Sequence, residues 1–406
     1  MSRLSQKIIV MGLGYIGLPT ASMLATKGHQ VLGVDVNAKA VDTINSGRIH
    51  IIEPDLDILV RSAVNSGNLK ESLTPEDGDT YIIAVPTPFM ELDGDPKAPD
   101  LSYVEAATRA IVPYLRPGNL VILESTSPVG TTELIYKIIV ELRPELEGKV
   151  HAAHCPERVL PGHILRELVD NDRIIGGLTK AANEQAKELY KSFCNGAILL
   201  TDSKTAELSK LVENSFRDVN IAFANELSVI CDHLGINVWE TISLANRHPR
   251  VNILQPGPGV GGHCIAVDPW FIVSSAPKQA RLIKTAREVN DAKPHWVIEK
   301  VKAKAARFKE PVIGCLGLTF KANIDDMRES PSFDIVKDLM TQNVGKILVC
   351  DPNVQADKVS FPLLDLKQVL KEADILLLLV DHTEFKEIDL DTIKDKVVID
   401  TRGVLR

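Results

Sequence analysis

A glycine-rich turn between a strand and a helix constrains the fold of this 406-residue chain more than any other feature. Lys7 to Met11 is a short apolar run typical of a buried strand, and the glycine turn Gly12 to Gly17 follows it directly. Leu18 to Lys27 then has the composition of a helix, and Val31 to Val34 that of a second strand. This order predicts a βαβ unit, which belongs to a parallel sheet.

The glycine turn fits the phosphates of a dinucleotide. Gly12 permits a tight turn, Gly14 lets the backbone approach a pyrophosphate, and Gly17 allows the helix to pack closely against the sheet. The helix N-terminus offers free N–H groups and a partial positive charge. Asp35 ends the second strand, where a carboxylate accepts hydrogen bonds from ribose hydroxyls and repels a 2′-phosphate. Such a motif alone is often only a turn, but with the strand, the helix and Asp35 it predicts NAD⁺ binding.

Strands and helices continue to alternate along the chain. The further strand candidates are Tyr81 to Val85, Leu120 to Glu124, Ile174 to Ile175, Val312 to Leu316, Lys346 to Cys350, Ile375 to Val380 and Val397 to Ile399. Ser203 to Leu234 lacks Pro and Gly and is predicted to be one long helix, with Asp202 as a capping candidate and Gly235 as its end. We therefore expect an α/β protein with two Rossmann-like, doubly wound parallel-sheet domains joined by a long central helix.

Length and charge set the remaining limits. The chain is too long for one ordinary core, and the predicted domains are 1–200, 201–300 and 301–406. A net charge of -8 without a long Lys/Arg block argues against a nucleic-acid partner. No apolar run reaches the roughly 20 residues of a membrane span. Six scattered cysteines and the lack of a signal peptide favour the cytoplasm.

Cys264 is a candidate nucleophile. It follows a loop too rich in Gly and Pro for a helix or strand, and Asp268 comes four residues later. A cysteine is most often a small buried apolar residue. Near a dinucleotide, however, a thiolate can add to an aldehyde and form a thiohemiacetal whose carbon donates a second hydride. Metal binding by His154, Cys155, His263 and Cys264 is the rival interpretation, although their spacing matches no recognised zinc pattern.

Lys210 and Asn214 lie four residues apart and share one face of the predicted long helix. A lysine on a helix surface is usually only a solvated charge. Here the apolar residues Leu208 and Leu211 flank Lys210. An ammonium and an amide so placed could stabilise an oxyanion on a reacting carbon.

Together these motifs resemble the UDP-glucose/GDP-mannose dehydrogenase family over essentially the whole chain. The matching segments are residues 12–17, 84–88, 124–128, 155–158, 209–214 and 261–268, with Phe320-Lys321 and 328–330. The resemblance implies an N-terminal NAD domain, a central domain that carries the catalytic loop, and a C-terminal UDP-binding domain. It also implies a homodimer paired through the central helix, with the active site between the domains.

The resemblance implies roles for individual residues. Cys264 would be the nucleophile, Lys210 and Asn214 the oxyanion stabilisers, and Asp268 the residue that orients or activates water. Glu157 would steer the hydrolytic water, and Thr126 would line the site. Candidate cofactor contacts are Gly12, Gly14, Tyr15, Ile16, Gly17, Asp35, Thr87, Thr126 and Arg328. Candidate substrate contacts are Arg158, Lys210, Asn214, His248, Arg250, Gly261, Lys321 and Arg402.

One difference from the UDP-glucose branch of the family narrows the range of candidate substrates. The UDP-glucose branch has a second carboxylate in a segment resembling Glu-Phe-Leu-Ala-Glu, whereas here Glu157 is followed by Arg158-Val159-Leu160-Pro161. The chain is more similar to the branch acting on UDP-N-acetylhexosamines, with 246–252 and 264–270 closest to enzymes of the manno sugar. Arg158 and His248 become candidates for an acetamido pocket, with a structural ion-pair role as an equal alternative.

The implied reaction is oxidation of the C6 hydroxyl of UDP-N-acetyl-D-mannosamine to the uronate in two hydride transfers, feeding surface polysaccharide synthesis. The gluco epimer is the alternative substrate. A one-step NAD-dependent hydroxyacid dehydrogenase is a rival that would need neither Cys264 nor a second sheet. A non-catalytic NAD-binding sensor is the third interpretation, and the set of Lys210, Asn214, Cys264 and Asp268 argues against it.

Overall fold

The computed structural model describes residues 5–51, 53–92, 95–160, 162–262 and 264–405. The chain divides into two compact units, Met1–Val212 and Glu213–Arg406. Within the described residues, the first unit holds an eight-stranded sheet and a small hairpin, and the second holds a four-stranded sheet. The expected two Rossmann-like sheets and the long helix are thereby confirmed.

The first unit alternates strands with helices. Its strands are β1 (Lys7–Met11), β2 (Gln30–Val34), β3 (Leu69–Ser72), β4 (Thr80–Ile83), β5 (Phe89–Leu92), β6 (Asp95–Pro99), β7 (Leu120–Leu123), β8 (His151–His154), β9 (Arg173–Gly177) and β10 (Ile198–Asp202). Its helices are α1 (Gly17–Thr26), α2 (Ala38–Asn45), α3 (Leu56–Asn65), α4 (Ser102–Ile111), α5 (Thr131–Leu142), α6 (Ile164–Asp170) and α7 (Lys180–Tyr190). The long helix α8 (Ser203–Leu234) begins in this unit and ends in the next.

The strand order of the large sheet is β10-β9-β8-β7-β4-β1-β2-β3. All neighbours run parallel except β8 and β9, so the sheet is mixed at one side and not wholly parallel as predicted. The chain order reverses next to β1. The carboxyl ends of β1 and β4 therefore flank the crevice in which sheets of this kind bind ligands.

Helices cover both faces of this sheet. In β1, Ile8 and Val10 belong to one apolar cluster, whereas Ile9 and Met11 belong to another. Successive side chains of a strand point to opposite faces, so the two clusters lie on the two sides of the sheet. The continuous apolar runs read from the sequence follow from burial on both faces.

The second unit repeats the layout on a smaller scale. Its strands are β11 (Val312–Leu316), β12 (Lys346–Cys350), β13 (Ile375–Leu378) and β14 (Val397–Asp400). Its further helices are α9 (Val238–Ala245), α10 (Asp268–Ser275), α11 (Arg281–Ala305), α12 (Pro331–Thr341), α13 (Leu366–Glu372) and α14 (Thr383–Lys386). The strands are all parallel in the order β12-β11-β13-β14. The order reverses beside β11, so the crevice of this sheet lies between the ends of β11 and β13.

The helix α8 has the predicted bounds. Asp202 caps it, since its carboxylate accepts the N–H of Thr205 at 2.9 Å, and Gly235 ends it with a φ of 67°. An exposed apolar stripe runs along α8 and consists of Phe216, Phe223 and Ile230, which are seven residues apart. Among the described residues, no helix has the length and apolar character of a membrane span.

Candidate active site

The glycine turn of the first unit links β1 to α1. A Cβ on Gly12 would lie 2.5 Å from the Ala84 carbonyl oxygen, and one on Gly17 would lie 1.9 Å from the Gly12 oxygen. Gly14, in contrast, is exposed, and a Cβ there would meet nothing within 4 Å. Gly12 and Gly17 thus allow close backbone packing, while Gly14 leaves the backbone open to a phosphate. Tyr15 and Ile16 are half-buried beside it.

Asp35 is held at the mouth of this turn. One carboxylate oxygen accepts the N–H of Leu13 at 2.9 Å, and the other accepts the N–H of Asn37 at 2.8 Å. The side chain is half-buried, next to the exposed Val36. The open Gly14 backbone, the start of α1 and the fixed carboxylate fit a dinucleotide without a 2′-phosphate.

Thr87 and Thr126 lie after β4 and β7, on the other side of the crevice. The Thr87 hydroxyl donates to the Thr126 carbonyl oxygen at 2.6 Å. Ser125 ties the same two loops together, because its hydroxyl donates to the Val85 oxygen at 2.7 Å. The structure therefore brings together two of the predicted site residues at the expected edge of the sheet.

Glu157 is buried after β8 and forms an ion pair that the sequence analysis did not predict. Its carboxylate lies 2.8 Å from the Arg173 guanidinium and also accepts the N–H of Arg158 at 2.7 Å. Arg173 is 4% exposed and lies over the ring of Tyr190 at 4.6 Å. An arginine at the start of an apolar strand candidate was the one available signal. The Glu157 carboxylate is thus engaged by protein groups on both oxygens.

The same buried cluster contains Glu124 and Cys155. The Tyr190 hydroxyl donates to Glu124 at 2.6 Å, and burial raises the pKa of Glu124 to about 7. Burial likewise raises the pKa of Cys155 to about 12, which keeps its thiol neutral. Arg158 is half-buried, and its guanidinium donates to the Asp172 carbonyl oxygen.

Lys210 and Asn214 lie one turn apart in α8, and both are half-buried. In the second unit, Asn214 donates a side-chain hydrogen bond to the carboxylate of Asp268. Asp268 is buried as the first residue of α10. The structure therefore brings two of the six predicted catalytic residues, Asn214 and Asp268, into direct contact.

Cys264 lies in the turn that leads into α10. Its carbonyl oxygen accepts the N–H of Asp268 at 2.9 Å, so the turn is continuous with the helix. Of the six cysteines, all within the described ranges, Cys264 is the one with an exposed side chain. This exposure distinguishes it from Cys155, Cys315 and Cys350, which are buried.

The glycine-rich loop before Cys264 is held from several sides. The Asn225 side chain accepts the N–H of Gly257 at 2.8 Å, and a Cβ on Gly257 would lie 2.7 Å from the Arg402 guanidinium. A Cβ on Gly261 would lie 2.3 Å from the Glu329 carbonyl oxygen. Glycine is therefore required at Gly261, where the close neighbour is backbone, and the Arg402 guanidinium lies beside Gly257 of the same loop.

The remaining predicted contacts surround the second sheet or α9. Lys321 is exposed in the loop after β11, and Arg402 is half-buried, with its Nε 2.9 Å from Asp381. Arg328 is exposed and pairs with Asp326 at 2.7 Å. His248 and Arg250 lie in an exposed segment after α9. Arg402 lies beside Gly257 of the glycine-rich loop. The Arg328 carbonyl oxygen accepts the N–H of Gly262 at 3.3 Å, while its side chain pairs with Asp326.

Among the described residues, no group of three or more His, Cys, Asp or Glu side chains is arranged to hold a metal ion. His154 is fully buried. His263, which belonged to the rival metal interpretation, lies outside the described residues.

Sequence comparisons agree with this geometry. Three models of the UDP-glucose/GDP-mannose dehydrogenase family match the chain: the NAD binding domain at residues 6–194, the central domain at 204–292 and the UDP binding domain at 314–406. The chain is 60% identical to the NDP-N-acetyl-D-galactosaminuronic acid dehydrogenase of Ralstonia nicotianae, over 98% of this chain and 96% of the relative. It is 56% identical to the UDP-N-acetyl-D-mannosamine dehydrogenase of Escherichia coli, over 98% and 99%.

A solved structure shows the same architecture. The UDP-D-ManNAc dehydrogenase of Pyrococcus horikoshii is 40% identical, with a TM-score of 0.89 over 98% of this chain and 96% of that one. The three domain models together cover most of the chain, and each sheet carries the crevice that its matched domain requires. The chain is therefore an NAD-dependent UDP-sugar dehydrogenase and belongs to the UDP-glucose/GDP-mannose dehydrogenase family.

Proposed function

We propose that the chain oxidises the C6 hydroxyl of UDP-N-acetyl-D-mannosamine to the carboxylate, through a covalent adduct on Cys264. The observation that carries this proposal is the exposed Cys264 side chain in the turn before α10, four residues before the buried Asp268 to which Asn214 donates a hydrogen bond. A single alcohol oxidation needs no thiol. A nucleophilic cysteine is needed when an aldehyde must be retained and oxidised again.

The chemistry divides among named residues. NAD⁺ supplies the hydride acceptor for both oxidations. Lys210 and Asn214 stabilise the negative charge that develops on the C6 oxygen. The Cys264 thiolate forms a C–S bond with the aldehyde carbon, and loss of a hydride and a proton from this thiohemiacetal leaves a thioester. Water then cleaves the C–S bond, giving the carboxylate and restoring the thiol.

Asp268 and Glu157 are proposed to act in the hydrolysis of the thioester. Asp268 accepts a hydrogen bond from Asn214, so its carboxylate is oriented by a residue of α8. We propose Asp268 as the group that orients or activates water. We propose that Glu157, whose oxygens are engaged by Arg173 and the Arg158 backbone, helps to steer this water, and that Thr126 also lines the site.

Further contacts are proposed for cofactor and substrate. The glycine turn, with Tyr15 and Ile16, would hold the pyrophosphate, Asp35 the ribose, and Thr87, Thr126 and Arg328 other parts of NAD⁺. Lys321, Gly261, Arg250 and Arg402 would contact the nucleotide sugar. Arg158 and His248 would face the acetamido group.

We also propose which epimer of the sugar is the substrate. The manno compound is supported by the name of the Escherichia coli relative, together with the missing second carboxylate after Glu157. The name of the Ralstonia nicotianae relative, at 60% identity, favours the galacto epimer as a second candidate. The product of either reaction is an activated uronic acid, which suits the assembly of a surface polysaccharide in the cytoplasm.

Stoichiometry tests the proposal. NADH formed per sugar is measured with the purified protein and limiting UDP-N-acetylmannosamine, beside the galacto and gluco epimers and UDP-glucose. We expect two NADH per molecule of the manno compound. Two NADH with the galacto or gluco epimer alone would move the substrate and keep the mechanism. One NADH per sugar would support the one-step hydroxyacid-type rival, and no turnover with any of these sugars would support a binding protein.

Cys264→Ser tests the covalent step. A hydroxyl is a far weaker nucleophile than a thiolate, so we expect the variant to lose acid formation by at least about a hundredfold. Cys194→Ser is the matched control, because Cys194 is half-buried beside backbone oxygens of Asn171 and Gly196 and lies in another element. Full acid formation by Cys264→Ser would overturn the thioester route.

We also propose that the protein is a homodimer paired through α8. Phe216 is 70% exposed, Phe223 57% and Ile230 46%, and the spacing of seven residues places them on one side of the helix. Single exposed apolar residues are common, but a continuous apolar stripe on a long helix indicates an interaction surface. A second copy of α8 offers the matching apolar stripe.

A further inference from the structure

His382 is fully buried at the carboxyl end of β13, in the crevice of the second sheet. The strand order reverses between β11 and β13, so loops from both strands meet there. The position of His382 makes it a neighbour of the loop that carries Lys321.

The imidazole ring joins three loops. Its Nδ1 accepts the backbone N–H of Asn323 at 2.9 Å, in the loop after β11. The same nitrogen lies 2.9 Å from the side-chain nitrogen of Asn353, after β12. A nitrogen that accepts carries no hydrogen, so the ring hydrogen is on Nε2, 3.2 Å from Asp351 and 3.4 Å from the Thr319 hydroxyl.

Asp351 occupies in the second sheet the position that Asp35 occupies in the first. In both, the carboxylate accepts the N–H of the residue after a glycine in the turn: Leu13 at 2.9 Å and Leu318 at 2.7 Å. Asp351, however, is buried and faces His382. Burial raises its pKa, but the hydrogen bonds from His382 and two backbone N–H groups outweigh that effect and lower it. The Asp351 carboxylate is therefore engaged by the imidazole and by two backbone N–H groups.

The loop around Lys321 depends on these contacts. The Thr319 hydroxyl donates to the Lys321 carbonyl oxygen at 2.8 Å. Asn323 has a φ of 59°, a left-handed conformation that asparagine adopts more readily than most non-glycine residues. The Asn323 side chain accepts the N–H of Thr383 at 3.0 Å. Lys321 itself is exposed between these two fixed points.

We propose that His382 is a positioning residue that holds the 319–323 loop so that Lys321 faces the diphosphate of the nucleotide sugar. The proposal rests on the proposed substrate contact of Lys321. The neighbouring Asp381 acts in the same direction on the other cation, because it holds Arg402 at 2.8 Å. Asp381 and His382 follow each other after β13. In this proposal, Asp381 orients Arg402 and His382 orients Lys321.

Two substitutions separate the contacts of the ring. In His382→Asn, the side-chain oxygen occupies approximately the Nδ1 position and keeps an acceptor for the Asn323 N–H. In His382→Gln, the amide reaches toward Asp351 and the acceptor for Asn323 is lost. The affinity of each variant for UDP is measured by calorimetry, beside wild type and Lys321→Ala. The affinity for NAD⁺ is the control, because its domain model matches the first unit.

We expect His382→Gln to weaken UDP binding about tenfold and His382→Asn to weaken it less than about threefold, which is the scale of one lost hydrogen bond. NAD⁺ affinity should be unchanged. In steady state, KM for the nucleotide sugar should rise in His382→Gln while kcat stays within about twofold, as expected when uniform binding is lost. A general structural defect would instead lower NAD⁺ affinity and kcat together.

Several results would overturn the proposal. Unchanged UDP binding in His382→Gln, with weakened binding in Lys321→Ala, would remove His382 and leave the proposed function intact. Equal losses in the Gln and Asn variants would refute the Asn323 contact. No UDP binding by wild type would defeat the proposed function itself. If neither His382 variant folds, Thr319→Val decides, because it removes the hydroxyl that lies 3.4 Å from the ring and donates to the Lys321 carbonyl oxygen while nearly keeping the side-chain volume. It should weaken UDP binding, and normal binding would reject the proposal.

Discussion

Glu71 lies on the edge strand β3 with its carboxyl group buried. Among the described residues, no group forms a hydrogen bond with either carboxyl oxygen. Burial raises the pKa of Glu71 from 4.5 to about 7. A raised pKa means that ionisation opposes folding, so stability contributed by the neutral acid is lost as pH rises from about 4.5 through about 7.

Glu71→Gln should therefore gain stability relative to wild type as pH rises. Glutamine has no charge to bury, so we expect the difference in unfolding free energy to move in its favour by about 2–3 kcal/mol between about pH 5 and about pH 8. Urea unfolding at both pH values measures it. Glu184→Gln is the control, because Glu184 is exposed. A difference that stays constant with pH would contradict the prediction.

Arg173 is the second residue with a strong expected effect. Removing it leaves the Glu157 carboxylate buried without its cationic partner, which costs about 3–5 kcal/mol when a buried ion pair is broken. Arg173→Leu should lose that much unfolding free energy in urea, and Arg173→Leu with Glu157→Gln should recover part of it. Arg166→Leu, on an 84% exposed side chain, should change stability by less than about 0.5 kcal/mol. Equal losses in the single and double variants would refute the charge argument.

Among the elements, the sequence predicted best those with a strong local pattern. β1, β11 and β12 have the predicted bounds because each is a buried apolar run that ends at Gly or Asp. α8 has the predicted bounds because 32 residues without Pro or Gly lie between a capping Asp202 and Gly235. Local composition is sufficient to predict an element whose conformation does not depend on contacts with other elements.

Other elements needed tertiary context. β3 (LKES) and β8 (HAAH) were not predicted, since neither is an apolar run and pairing with a neighbouring strand makes them strands. The same reason limits the site. The glycine turn and Asp35 are near in sequence and were predictable, whereas Arg173 reaches Glu157 from 16 residues away and His382 reaches Asp351 from 31. No spacing rule connects such pairs.

The element α8 carries its own prediction. Phe216→Glu combined with Phe223→Glu places two charges in the apolar stripe, so the proposed dimer should dissociate to monomers by sedimentation at micromolar concentration. Leu142→Glu is the matched control, because Leu142 on α5 is 46% exposed and lies outside the stripe. A dimer of unchanged affinity in the double variant would refute pairing through this face.

At the scale of the whole molecule, two sheets with two crevices predict two separable ligand responses. A ligand present at a hundred times its Kd stabilises the protein by about 2.7 kcal/mol. In thermal denaturation, we expect Asp35→Ala to lose the upward shift caused by NAD⁺ and keep that caused by UDP, and Lys321→Ala to do the reverse. Loss of both shifts in either variant would contradict independent sites.

Cysteine exposure across the chain has a practical consequence. Burial raises the pKa of Cys155, Cys315 and Cys350 to about 12, so these three thiols stay neutral and unreactive. The side chain of Cys264, in contrast, is exposed. Because reactivity follows thiolate character and access, we expect an alkylating reagent to modify Cys264 before the other five thiols, so that its uptake measures the amount of intact protein. We expect peroxide to convert the same sulfur to a sulfenic acid first, and under the proposed role of Cys264 a loss of turnover would be an early sign of that oxidation.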